Sequence, residues 1–388
     1  MTAKTWTLTD VEQDCWLETI ALSPKDVGGP ASGYSVIKRT LQGGLRQGVE
    51  VIEVDNGSCR FVIIPTRGMG IWHALAGGVH LGWKSPVRGP VHPAFVRLEE
   101  PSGIGWLDGF DELLVRRGLE SNGAPEFNPD GTLRYGLHGK IANIPAHRVE
   151  VTIDGQSGQI QVRGTVDESR LFGHKLRLTT TIATRIGQLG FSVTDVLENL
   201  SAEPSDLELL YHINFGSPLL EPGAKIALPF REAAPRDAAA VENVDQWDVY
   251  GPESPGSAEA VFFFDPAADG QGNSRAVLHN ARADRGVSVL FNKTQLPCFT
   301  LWKNRQAAAD GYVTGLEPAT NYPNTKSFEK EKGRVVALGP GQSRTFQITV
   351  EVHPNADAVS RAVKAVGEIQ GGGRPAMGSQ PNPEWSQG

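Results

Sequence analysis

Three stretches of the chain place an ionisable side chain where its direction is set by the backbone. In GLEPATNYPN, Gly315 to Asn324, the carboxylate of Glu317 precedes Pro318 and follows the apolar segment CFTLWKN. Proline disfavours the helical region for the residue before it, so Glu317 is extended and aimed from the end of a strand. A carboxylate held that way can serve as a base; a glutamate capping a surface turn fits the same local sequence. In YHINFG, His212 lies in or at the end of a strand, two residues before Asn214, and a sheet is a rigid platform for a catalytic group. In RYGLHGKIANIPA, His138 stands between Leu137 and Gly139, which leaves room for something to approach its ring, although a lone histidine is more often a hydrogen-bonded structural residue. A fourth stretch, PTRGMG, sets Arg67 before Gly68 and Gly70 in a tight turn. Its planar fork of donors suits a carboxylate, a phosphate or vicinal hydroxyls, and also a structural salt bridge. Asp245 and Trp247, in the irregular run DQWDVYGPESPG, are further candidate ligand contacts.

The elements that must carry these residues read as strands. The chain has 388 residues, with 45 glycines and 26 prolines punctuating short runs rich in Val, Ile, Phe and Thr, and 39% hydrophobic residues, enough for a large core. VEVIEV, CRFVIIPT and GIWHALAG form a meander, and HRVEVTI, QIQVRGTV, KLRLTTTIAT, GFSVTDVLENL and LELLYHINFG follow at short intervals. Alternation in KLRLTTTIA and GFSVTDV buries one face of each strand, the pattern of a sandwich of antiparallel sheets. Residues 83–130 carry few strand signals, and a segment that long inside a compact domain lines a site. Within it WLDGFDELLVRRG reads as a short helix, with Trp106 and Phe110 on one face for packing more than for sugar stacking. The expected organisation is an N-terminal arm over 1–25 with a capping box from Thr9 to Glu12, one β-sandwich domain over 26–355, a short amphipathic helix over 356–370, and a disordered or surface-lying tail over 371–388.

Composition narrows the partner. A net charge of −7 argues against a nucleic-acid or anionic-membrane surface and for a small molecule. Cys15, Cys59 and Cys298 are odd in number and widely spaced, so neither a disulfide framework nor a zinc ribbon follows, and a reducing cytoplasm is expected. The N-terminus MTAKTWTLTD lacks the apolar core of a secretion signal, and no apolar run is long enough to span a bilayer. His73, His80 and His92 match no compact ligand spacing, and TRGMGI lacks the strand and helix context of a dinucleotide loop, so no metal and no cofactor is expected. Nothing in the sequence sets an oligomeric state.

Taken in order, YGLHGKIAN, YHINFG and GLEPATNYPN resemble the active-site motifs of the aldose 1-epimerase (galactose mutarotase) superfamily, and most closely its poorly characterised aldose-epimerase-like branch, where PTRGMGI also has a counterpart. The resemblance runs from about residue 45 to 355 and ends on LGPGQSRTFQITVEV. It implies a large antiparallel β-supersandwich and a sugar as the small molecule. It also implies Glu317 as the base that takes the anomeric proton, His212 as the acid that protonates the ring oxygen, and His138, Arg67 and Asn214 as sugar contacts. A carboxylate and an imidazole in different environments can hold opposite protonation states near neutral pH, as such a pair requires. Supersandwich folds also occur in polysaccharide lyases, for which Arg67 with Tyr135 or Tyr211 would be the counterparts. A non-catalytic sugar-binding protein is a third expectation from the same fold.

Overall fold

The computed structural model describes residues 3–387. Among these residues two largely antiparallel sheets, of ten and fourteen strands, face each other across one large apolar core. The alternating strands Gln159–Ser169, Lys175–Arg185 and Gly190–Asn199 belong to the ten-stranded sheet. Their Val162, Leu178, Phe191 and Val193 enter the core, while the residues between them turn outward. The centre of the fourteen-stranded sheet follows a different rule. Ser205–Gly216 is buried on both faces for most of its length, and Val313–Ala319 for all of it. A strand buried on both faces needs a cover on its outer side. That cover includes the segment between Leu81 and Leu114, whose Trp106 and Phe110 lie on it.

At the centre of the large sheet the order is Ala260–Pro266, Cys298–Asn304, Val313–Ala319, Ser205–Gly216, Leu114–Leu119 and Gly70–Ala76. Because side chains alternate, Tyr211, Ile213, Phe215, Leu316, Leu301 and Phe299 point into the core. Arg117, His212, Glu317, Thr300 and Trp302 take the other parity and share the outer face.

One polar network crosses the sandwich. Arg116, next to Arg117 on Leu114–Leu119, reaches Asp195 of the opposite sheet, with Nη2 donating to Oδ1 at 2.9 Å and to Thr180 Oγ1 at 2.8 Å. Its Nη1 donates to the carbonyls of Gly68 and Met69, and the Tyr211 hydroxyl donates to Asp195 Oδ2 at 2.7 Å.

Two expectations are corrected by this architecture and one is narrowed. In the N-terminal arm, Ala3–Asp10 is a strand near the edge of the ten-stranded sheet, paired with Arg148–Asp154, and the 3₁₀ turn that follows is capped by the Asp10 carboxylate rather than by Thr9. The helix read over WLDGFDELLVRRG is a 3₁₀ turn, Gly105–Gly109, followed by the central strand Leu114–Leu119, because the cross-sandwich ion pair lets arginines occupy a buried strand. Of the two readings of the tail, the surface-lying one describes its residues 371–387. Ala376–Met377 pairs with Glu232 and Ala233, and Trp385 packs on Tyr322 with ring centroids 5.4 Å apart. One indole supplies apolar area that the average composition of the tail conceals. The helix Ala356–Gln370 is present, capped by Asn355, with Ala362 and Val366 against Val277. No helix among the described residues is long and apolar enough to cross a membrane.

Candidate active site

The antiparallel register that pairs Leu210 with Ala319 and Ile213 with Leu316 sets His212 across from Glu317. The result is a pair of buried ionisable groups with His212 Nε2 and Glu317 Oε1 3.1 Å apart. Both side chains are closed off from solvent, at 0% and 1% exposure. Room for them comes from Gly315, where a Cβ would collide with Glu317 Oε1 and stand 3.0 Å from His212 Cε1. Arg117 joins the pair from the neighbouring strand, its Nη1 3.6 Å from Glu317 Oε2. The distances are those of ion pairs, yet neither Glu317 oxygen, neither His212 ring nitrogen nor Arg117 Nε has an aligned hydrogen-bond partner among the described residues. Buried polar atoms are ordinarily satisfied, so such a cluster is a place where a third party can supply the missing bonds.

Burial pushes Glu317 up to about 7, although the Arg117 charge pulls the other way. Burial likewise lowers Arg117 to about 10, against the favourable charge of Glu317. A carboxylate near 7 is a stronger base than an exposed one and still largely available at neutral pH. Aromatic rings enclose the pair. Phe110 and Trp302 meet the His212 ring edge-on at 5.0 and 5.2 Å, and Trp106 lies parallel to it at 6.5 Å. The Arg117 guanidinium sits over the Trp106 ring at 5.6 Å.

His138 is carried by a turn rather than a strand. It adopts a left-handed backbone, φ 61°, rare for a residue with a side chain. The following Gly139 fits only as glycine, since a Cβ there would collide with the carbonyls of Gly118 and Ser121. His138 Nδ1 lies 3.1 Å from the Asn122 carbonyl, which can only accept, so Nδ1 carries the proton and Nε2 is left as an acceptor. Burial, and then the Arg117 charge, hold its pKa well below the usual histidine range, which keeps the ring neutral. Asn122 is itself fixed from behind: its N–H donates to Glu208 Oε2 at 2.8 Å and its Nδ2 to Asn321 Oδ1 at 2.9 Å. The His138 ring is 6.3 Å from that of His212 and edge-on to Trp106 at 4.8 Å.

The outer rim is a chain of polar contacts. Trp302 Nε1 donates to Glu259 Oε2 at 2.6 Å, and Arg236 Nη2 lies 2.9 Å from Glu259 Oε1. Arg236 and Glu259 both contribute to the field at Glu317.

Of the residues singled out from sequence, Glu317, His212 and His138 come together here. Asn214 shares their face of the sheet but acts as a brace, its Nδ2 donating to the Glu112 carbonyl at 2.9 Å while Oδ1 is left without a partner among the described residues. Arg67 is elsewhere in role. It is buried, with Nε on Glu112 Oε1 at 2.6 Å, Nη1 on Asn143 Oδ1 and the Val91 carbonyl, and Nη2 on the Gly109 carbonyl. It therefore anchors the segment that carries Trp106 and Phe110. Asp245 and Trp247 lie away from the cluster: Trp247 packs on Phe230 and Phe264 at the edge of the inter-sheet core, and Lys303, on the core side of its strand, binds the Trp247 carbonyl at 2.9 Å. His73 and His80 stack on each other at 6.1 Å, and His92 Nδ1 accepts from the Ala94 N–H. Arg117, Trp302, Glu259 and Arg236 escaped the sequence reading. Only the doublet Arg116–Arg117 within an apolar run signalled the first of them.

Residues 46–352 match a family model described as a domain of unknown function, DUF4432. No curated protein matches the chain. Among solved structures, a Klebsiella pneumoniae protein provisionally assigned as an aldose 1-epimerase is 34% identical, with 98% of this chain and 99% of that chain aligned and a TM-score of 0.94. A galactose mutarotase related enzyme from Lactobacillus acidophilus is 12% identical over 79% of this chain and 98% of its own, with a TM-score of 0.53. An Escherichia coli K12 protein, also provisionally assigned as an aldose 1-epimerase, is 15% identical over 79% and 99%, with a TM-score of 0.50. The last two share the fold. The chain belongs to the DUF4432 family, within the aldose 1-epimerase (galactose mutarotase) superfamily.

Proposed function

We propose that the protein is an aldose 1-epimerase, interconverting the anomers of a free sugar by opening and reclosing its ring. The observation that carries this reading is the buried pair of Glu317 and His212, 3.1 Å apart and without an aligned bond between them. A sugar bound over the pair supplies what each lacks. Glu317 accepts the proton of the anomeric hydroxyl while His212 Nε2 donates one to the ring oxygen. The C1–O bond of the ring breaks and an open-chain aldehyde forms. Rotation about C1–C2 presents the other carbonyl face, and the reversed transfers close the ring and restore both residues. One proton enters and one leaves the protein in each half, so the charge of the pair is conserved. Each positioned group of this kind contributes about 10²- to 10⁴-fold. Neutral His138, with its proton on Nδ1, offers Nε2 to a sugar hydroxyl, and Arg117 steadies the Glu317 charge while its free Nε can donate to a sugar oxygen.

The lyase reading built on Arg67 with Tyr211 is less well supported, since the Arg67 side chain is bonded to Glu112, Asn143, Val91 and Gly109, and the Tyr211 hydroxyl to Asp195 in the core. The test is magnetisation-exchange NMR between α and β anomers over a panel of aldoses, deoxysugars and uronic acids, with wild type and Glu317→Gln. Accelerated exchange for one sugar class, lost in the variant, supports the epimerase. Binding without acceleration anywhere in the panel would make the protein a sugar-binding module and sink this reading.

A further inference from the structure

The polar rim of the site is held from outside by the end of the chain. The Ser386 hydroxyl donates to the Arg236 carbonyl at 2.6 Å, and the Arg236 side chain ion-pairs with Asp237 and Glu259, the second of which accepts the Trp302 indole N–H. Trp302, whose ring meets His212 at 5.2 Å, also packs on the cluster of Val261, Phe263, Cys298 and Tyr322. Trp385 leans on that same cluster, against Tyr322. One tail residue thus bonds to the main chain of Arg236, whose side chain holds the indole partner Glu259, and another leans on the apolar bed of Trp302.

The tail is also tied to the segment that follows Glu317. Asn324 Nδ2 donates to the Trp385 carbonyl at 2.8 Å, and Arg334 Nη1 donates to the Glu384 carbonyl at 2.7 Å while pairing with Glu329 through both other nitrogens. Glu329 in turn accepts from Asn324 Nδ2 and from the Tyr322 N–H. Neighbouring Asn321 bonds to Asn122, whose carbonyl holds His138. A surface strap with no other task would not need to reach both the Arg236 rim and the segment that runs from Glu317 to the His138 support.

We infer that the C-terminal tail is a strap that positions the site, with Trp385 and Ser386 as positioning residues that act on Trp302 through Tyr322 and through Arg236 and Glu259. Neither touches the reacting groups. The effect on sugar turnover rests on the epimerase reading; the effect on Trp302 does not.

The experiment follows the indole N–H resonance of Trp302, assigned with Trp302→Phe, in wild type, Ser386→Ala, Trp385→Phe, Trp385→Ala and a chain ending at residue 378. The expected result is a shifted or broadened Trp302 signal in Trp385→Ala, Ser386→Ala and the shortened chain, largely restored in Trp385→Phe, which keeps an aromatic ring on Tyr322. With a sugar that is turned over, KM rises about tenfold in Trp385→Ala while kcat changes less, as misplacement of a binding wall predicts. If the shortened chain fails to fold, Ser386→Ala and the two Trp385 variants carry the test. An unchanged Trp302 resonance across folded tail variants would overturn the strap. A shifted resonance with no sugar turned over by any variant, wild type included, would keep the strap and remove the epimerase.

Discussion

Arg116 and Arg117 are neighbours on one strand, and so, on the next, are Tyr211 and His212, yet each neighbour lives in a different chemical world. Arg116 and Tyr211 face the inter-sheet core, where Asp195, Thr180 and two carbonyls satisfy them. Arg117 and His212 face outward to Glu317, where distances are close but bonds are left unmade. The alternation of a strand lets one pair of strands carry a satisfied network on one side and an unsatisfied one on the other. The core network closes on itself, so it serves stability. The outer cluster is left open and buried, an arrangement that costs stability and is retained where a ligand completes it.

That division can be broken most forcefully from the core side. Arg116→Met leaves the Asp195 carboxylate buried without its partner, and urea unfolding is expected to show a loss of about 3–5 kcal/mol. Anomer exchange per folded molecule should meanwhile stay within severalfold of wild type. If exchange collapsed and stability held, the two faces would have been assigned the wrong way round.

From the outer side, Arg117→Met removes the charge that pulls Glu317 down. The rate–pH profile should move to a higher midpoint, so that exchange at pH 7 falls, by about fivefold for a first unit of rise and about tenfold for each further unit. A lowered rate with an unmoved midpoint would mean that Arg117 serves binding alone. A smaller effect is expected at His138→Gln, where KM rises about tenfold with kcat nearly kept, the signature of lost binding felt equally in ground and transition states. Steady-state exchange rates against sugar concentration read it directly.

The smallest effect concerns the loop side of the molecule. His174 lies 3.2 Å from Glu120 and 3.0 Å from Glu168. Burial opposes its charge, but the two adjacent carboxylates win and raise it to about 9. A histidine whose folded pKa is raised contributes stability that is full below about 6.5 and lost as pH rises through about 9. His174→Ala should flatten the decline in melting temperature over that window without altering the slope at lower pH. An equally steep decline in the variant would move its cause elsewhere.

How far the sequence could be read follows the range of the forces involved. Glu317 was visible because Pro318 constrains its own neighbour, and His138 because adjacent Gly139 leaves room, both local effects. The sandwich was visible because period-two burial is written into strands such as Lys175–Arg185. Arg117 was not, because LLVRRGL has the look of a helix face until Asp195, from the opposite sheet, neutralises Arg116 and permits a buried strand. Arg67 was visible as a donor fork but not as an anchor, since Glu112 and Asn143 reach it only through the fold. The tail misled through its average: seventeen residues of mostly Gly, Pro, Ser and Gln conceal the single Trp385 that docks it.

The most direct test of the outer cluster as an acid–base pair is the wild-type anomer-exchange rate as a function of pH, with the uncatalysed exchange subtracted. Glu317 must be unprotonated to act and is held at about 7 by burial. On its acid limb the catalysed rate should therefore reach half its maximum near pH 7 and fall about tenfold per unit below 6. A catalysed rate that stays level from pH 5 to 8, or that survives intact in Glu317→Gln, would contradict the assignment of this carboxylate as the base.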